Sequence, residues 1–206
     1  MKRLFFLATF MIAILVAAQN SNAVLMTYTA NLDGPSESPP NASPGTGFAV
    51  VIFDDVANTI DVAVTFSGLL GPTTASHIHA PTSSPFTGTA GVATEVPYFI
   101  NFPIGVTSGS YSHLFDMTLT SSWNPAFITA HGGTTAGAEA ALAAALANEE
   151  AYFNIHTQVV PSGEIRGFLH VPEPATMLLL GFGLVGLAGC ARSFRRVTRC
   201  GSLTSF

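Results

Sequence analysis

Between Val24 and Val171 the chain is written in short runs of alternating apolar and polar residues, each cut off by a cluster of Gly, Pro, Ser or Asp. A period of two sends alternate side chains to opposite faces, which is the pattern of half-buried strands and not of helices. Leu25 to Leu32 reads as a first strand, followed by the turn-rich Asp33 to Gly45, which carries no core-forming pattern. Gly47 to Phe53 and Thr59 to Phe66 are rich in Val, Ile and Phe, and Asp54 to Asn58 between them reads as a hairpin loop. Ser76 to Ala80, Tyr98 to Phe102, Tyr111 to Leu119, Ala151 to Thr157 and Glu164 to Val171 continue the β pattern. Thr135 to Glu149 is the exception: Ala-rich and proline-free, it predicts a helix with Leu142 and Leu146 on one face. Many short strands with one small helix predict a mainly β domain, an antiparallel sandwich or barrel.

The two ends of the chain read differently. Lys2 and Arg3 precede the apolar stretch Leu4 to Ala18, and Ser21-Asn22-Ala23 places small residues where signal peptidase cuts, so residues 1–23 read as a signal peptide. At the other end Pro172-Glu173-Pro174 precedes the uncharged stretch Ala175 to Ala191 and then Arg192, Arg195 and Arg196. As a helix at 1.5 Å per residue this stretch would span roughly 25 Å, close to a bilayer core, with the arginines held on the cytoplasmic side. This tail resembles the PEP-CTERM sorting signal, and the resemblance implies recognition by an exosortase, a membrane-embedded transpeptidase. The predicted organisation is a signal peptide (1–23), a β domain (24–171), a sorting signal with a C-terminal transmembrane helix (172–196) and a short cytoplasmic extension (197–206). The implied route is export, an intermediate tethered to the inner membrane, and then the cell surface or extracellular matrix.

The net charge of −5 hides an asymmetry. Between Val24 and Val171 eleven acidic residues face a single arginine, Arg166, a formal charge of −10. Such a surface repels phosphate backbones, which argues against nucleic acid as a partner and suits neutral glycans, cations or a basic protein. Both cysteines, Cys190 and Cys200, lie in the tail, so the domain is held without disulfides.

Chemistry concentrates on the strands that carry histidine. On a strand, His77 and His79 share one face and Ile78 takes the other; Asn154 and His156 likewise stand opposite Phe153 and Ile155. Glu164 and Arg166 alternate with Ile165 in the same way. If the three isoleucines share a core, His77, His79, Asn154, His156, Glu164 and Arg166 share the opposite surface.

These residues carry a second resemblance. Leu32-Asp-Gly-Pro-Ser-Glu-Ser-Pro-Pro40, Ser76-His-Ile-His79, Tyr152-Phe-Asn-Ile-His-Thr157 and Gly163-Glu-Ile-Arg-Gly167, in this order, resemble a CHRD (chordin-type) domain over nearly all of Val24 to Val171. The resemblance implies an extracellular β-rich domain and marks the six polar residues as signature positions. It supplies no activity.

Three readings of the set are open. His77, His79 and His156 would bind a transition metal, copper or zinc, since imidazole suits both. Convergence of three ring nitrogens within about 4 Å, allowing for a loose empty site, would favour that reading. Alternatively, the six residues form a hydrogen-bonded network joining strands, or they contact a ligand directly. At the level of function, the sequence points to a non-catalytic binding or structural module of the envelope or biofilm matrix, with an exopolysaccharide or envelope protein as its partner. The competing function is a metal-dependent redox enzyme, since His-x-His on a strand is similar to the copper ligands of copper–zinc superoxide dismutases. No cysteine or zinc loop of that enzyme follows His79. Trp123 reads as a packing residue, and His113, His131 and His170 as surface or capping residues.

Overall fold

The computed structural model describes residues 25–172. The signal peptide, the apolar stretch Ala175 to Ala191 with its predicted transmembrane helix, and the arginines after it lie outside the described residues. Among the described residues no helix is long and apolar enough to cross a membrane.

The strands are β1 (Leu25–Asp33), β2 (Thr46–Asp54), β3 (Thr59–Ser67), β4 (Thr73–His79), β5 (Gly109–Asp116), β6 (Tyr152–Thr157) and β7 (Ile165–Phe168). They form one seven-stranded antiparallel sheet in the order β4-β6-β7-β1-β2-β3-β5. The alternation in sequence sets the register. Tyr28 lies opposite Val51 and Val51 opposite Val62, so apolar side chains pair across neighbouring strands on the buried face. Ala30, Leu32, Ala49, Phe53, Ile60, Val64 and Phe66 extend that face.

The sheet curls into a half-barrel. It is neither a sandwich of two sheets nor a barrel closed by a continuous ladder. The two edge strands, β4 and β5, share no ladder; the start of β4 is tied instead to the chain leading into β5, where Thr73 N–H donates to Val106 O at 2.8 Å and Gly105 N–H to Thr73 O at 2.9 Å. Between them runs the long segment 80–108. Its prolines, Pro81, Pro85, Pro97 and Pro103, lack the N–H donors a ladder needs.

That segment holds the one expected strand that does not form. Tyr98 to Phe102 is a turn: Phe102 N–H donates to Phe99 O at 3.0 Å, and Asn101 adopts a left-handed φ of 60°. Phe99 and Phe102 nonetheless point inward, while Tyr98 and Ile100 are exposed. Phe99 is fully buried, 5.3 Å from Phe115 and 5.9 Å from Phe153 between ring centroids.

Two helices complete the fold. The short α1 (Pro125–Ala130) lies outside the expected elements, although Asn124 accepting from Ala126 N–H and Pro125 in the first turn form a recognisable helix start. The expected helix is α2 (Thr135–Ala147), capped by the Thr134 hydroxyl, with Ala138, Leu142, Ala145 and Leu146 buried. It stops short of Glu149, whose φ of 60° leaves the helical region. Trp123 is buried as a packing residue, its indole N–H donating to Met117 O at 2.9 Å.

Candidate metal centre

The site is built on the edge strand β4 and its neighbour β6. His77 lies opposite Asn154, His79 opposite Tyr152 and Ala75 opposite His156. Directly paired residues share a face, so the three imidazoles stand on one side of the sheet. Ile78, Phe153 and Ile155 take the other side and are fully buried in the core together with Ile165. The histidine face is itself covered by loops, which leaves His77 and His79 at 6% and 8% exposure and His156 half-buried.

Those loops fix the rings. His77 Nε2 lies 2.8 Å from Pro97 O, His79 Nδ1 2.9 Å from Ala90 O, and His156 Nδ1 2.9 Å from Pro161 O. A carbonyl oxygen only accepts, so each of these nitrogens carries the proton. The lone pairs therefore fall on His77 Nδ1, His79 Nε2 and His156 Nε2, which are the buried ring nitrogens without a hydrogen-bond partner. One nitrogen from each ring lies within 4.8 Å of those of the other two.

In metal-ligating histidines the second ring nitrogen is commonly tied to a carbonyl that fixes tautomer and orientation, and these three rings have such a tie. The outer limit is wider than the about 4 Å expected of an empty site. Nitrogens bound at 2.0–2.1 Å around a tetrahedral ion stand about 3.3 Å apart, so the rings have at most about 1.5 Å to close. The rings sit edge-on or tilted, with centroids 5.5 Å apart for His77 and His156, 5.8 Å for His77 and His79, and 6.0 Å for His79 and His156.

Electrostatics keeps the set neutral. Burial holds His77 and His79 down at about 4, against the opposing pull of their carbonyl partners, and His156 is lowered by burial as well. All three are thus unprotonated at neutral pH, the form a metal requires.

The other signature residues divide. Asn154 donates from Nδ2 to Glu37 Oε1 at 2.8 Å, while its Oδ1 is a further buried atom on this face without a partner. Arg166 Nε is 3.8 Å from Glu37 Oε2, its Nη1 donates to Gly88 O at 3.1 Å, and its guanidinium lies 4.7 Å from the centroid of Tyr152. Tyr152 in turn stacks on His79 at 4.8 Å and 6°. Burial pushes Glu37 up to about 7, with Arg166 and the hydrogen bonds from Ser38 and Asn154 opposing.

Glu164 does not join this face. β7 begins at Ile165, so strand alternation does not constrain its neighbour. Its carboxylate turns to the opposite side and accepts from Ser43 Oγ (2.6 Å), Leu70 N–H (2.6 Å), Gly71 N–H (3.4 Å) and Thr157 Oγ1. Arg166 therefore pairs with Glu37 and not with Glu164, which sequence alternation placed on the same face. Glu37, in the turn-rich loop before β2, is the site-adjacent residue that strand patterning missed; its only sequence signal was its place in the first signature motif.

The two glycines that bracket Glu-Ile-Arg have separate reasons. Gly163 has a φ of 130°, and a Cβ there would lie 2.5 Å from Asn154 Nδ2 and 2.6 Å from Glu37 Oε1. At Gly167 a Cβ would meet the Asn31 carbonyl oxygen of β1, so only glycine lets the two strands pack.

Residues 28–169 match the CHRD domain, and residues 170–196 match the PEP-CTERM protein-sorting motif. The chain belongs to the CHRD domain family. Its sorting motif implies an exported protein handled by an exosortase and sent to the cell surface. No curated protein and no solved structure matches the chain.

Proposed function

We propose that this is an exported envelope or matrix protein whose CHRD domain is a non-catalytic module that binds a transition-metal ion, copper or zinc, through His77, His79 and His156. The observation that carries the reading is the set of three buried lone-pair nitrogens, each on a ring whose other nitrogen is tied to a main-chain carbonyl. Leaving three such acceptors buried and unpaired costs about 1–3 kcal/mol each, which a bound ion would offset. A network that merely joined strands would have satisfied them. A binding role is favoured over a redox enzyme because Asn154, Glu37 and Arg166, the polar groups beside the rings, are engaged with one another.

Elemental analysis of the full-length protein, purified in detergent, stripped with chelator and reloaded, should find one equivalent of metal. His156→Ala should remove it while leaving most of the stability, since His156 is the least buried of the three. A large stability loss with no metal in the parent protein would favour the network instead.

The same reading takes the protein through signal peptidase near Ala23, into the inner membrane by its C-terminal helix, and on to exosortase, with 1–23, 24–171, 172–196 and 197–206 as the functional divisions. Pro172, Glu173 and Pro174 would be the motif recognised, and Arg192, Arg195 and Arg196 the cytoplasmic stop. Deleting Pro172 to Pro174 should leave unprocessed protein in the membrane fraction on an immunoblot; unchanged processing would reduce the tail to a plain anchor. At the surface the acidic domain would meet a neutral exopolysaccharide or an envelope protein.

A further inference from the structure

Resting on the metal reading above, we infer that the three-histidine centre is built for a monovalent ion, cuprous copper, in preference to a divalent one. The first ground is the donor set. The cluster consists of His77, His79 and His156, with no aspartate, glutamate or cysteine among its members. Three neutral imidazoles contribute no negative charge to offset that of the ion.

The surroundings contribute none either. The carboxylate of Glu37 is directed to Arg166 and Asn154. Glu164 spends its carboxylate on Ser43, Thr157 and two main-chain amides, away from the histidine face. Arg166 is a cation on the histidine face itself, one ring away from His79 through the Tyr152 stack. An ion at the centre therefore faces neutral ligands and an Arg166–Glu37 pair that offers it no net negative charge, in a pocket where two of its three ligands are almost wholly buried.

Charge decides between candidates in such a place. The cost of taking an ion out of water rises with the square of its charge, so a divalent ion loses about four times what a monovalent ion of equal size loses. Sites that hold zinc or cupric copper commonly recover this loss through thiolate, carboxylate or an ordered shell of further ligands. Cuprous copper, with a filled d shell, is content with three nitrogen donors in a near-planar arrangement and needs no anion. His-x-His on β4 with His156 on the adjacent strand supplies three donors from one surface, and Tyr152 stacked on His79 lines it with an aromatic face. A site that prefers the cuprous ion also raises the reduction potential of bound copper.

The test is a set of three titrations of the chelator-stripped, full-length protein in detergent. Cuprous ion is added anaerobically in competition with bicinchoninate, and cupric and zinc ions in competition with nitrilotriacetate. The expected order is Cu(I) first by about 100-fold or more, then Cu(II), then Zn(II), the last two following their general order on nitrogen donors. His156→Ala should weaken cuprous binding by about 100-fold or more, through loss of one of three ligands. Zinc or cupric ion binding as tightly as cuprous ion would overturn the assignment and leave the metal centre standing. Failure of all three ions to bind would overturn both. The order of affinities in the parent protein decides the matter alone if the variant does not fold.

Discussion

Replacing Glu164 by alanine should destabilise the domain by about 4 kcal/mol, among the largest losses any single substitution can produce here. Its carboxylate is fully buried and accepts from Ser43, Leu70, Gly71 and Thr157, so one side chain joins the loop before β2, the loop before β4 and the end of β6. Without it, donors that cannot reach water are left unpaired at about 1–3 kcal/mol each. Burial alone would raise the Glu164 carboxyl, but the hydrogen bonds from Ser43, Thr157, Leu70 and Gly71 outweigh it and hold it below its ordinary value. Urea unfolding of Glu164→Ala beside the parent protein measures the loss, and a change under about 1 kcal/mol would remove Glu164 from the role of joining these loops. Glu164→Gln, which keeps the shape and one acceptor, should fall between the two.

Acid should unfold the metal-free domain early. His77 and His79 take up protons near 6.5 when unfolded but only at about 4 when folded. The unfolded state therefore binds more protons between those values, and stability falls as pH drops through that window. Glu37 works in the opposite sense, because its folded value of about 7 lies above its unfolded 4.5. Its contribution is full below 4.5 and is lost by the time pH has risen through 7. Between pH 6.5 and 4.5 two histidines outweigh one glutamate by up to about one proton, and His156, also lowered, adds to the excess. Each net proton is worth about 1.4 kcal/mol per pH unit. Below 4.5 the Glu37 term has ended and Glu164 joins the loss, its depressed carboxyl being protonated more readily in the unfolded chain. Urea midpoints should thus be level above about pH 7 and fall steadily to pH 4. A midpoint that held constant or rose on acidification would contradict the burial of neutral histidines.

Strand patterning is legible in this sequence because the core is one-sided. Tyr28, Ala30 and Leu32 alternate with Thr29 and Asn31 on β1 and share the buried face with Ala49, Val51 and Phe53 of β2, and a slip of one residue would expose the whole set. The Ala-rich helix and the shared face of His77, His79 and His156 follow from the same periodicities. Periodicity says nothing where no element forms. Tyr98 to Phe102 has the composition of a strand, yet Pro97 and Pro103 deny it a ladder and Phe99 reaches the core from a turn. Glu37 sits among prolines and serines in a loop with no period, so its approach to Arg166 depends on tertiary placement alone. Glu164 lies one residue before its strand, where the rule of alternate faces has not yet begun to apply.

The atoms that orient the three rings belong to the main chain of Ala90, Pro97 and Pro161, and every residue type has such a carbonyl. A change of side chain at any of these positions leaves the carbonyl where it is, provided the loop keeps its path. Inserting or deleting a single residue in either loop moves the carbonyl off the ring and frees the imidazole to turn. The readiness of this centre is therefore encoded in loop length rather than loop spelling. Two chains that differ at many loop letters can hold the same rings in the same pose, while two that differ by one residue of spacing cannot.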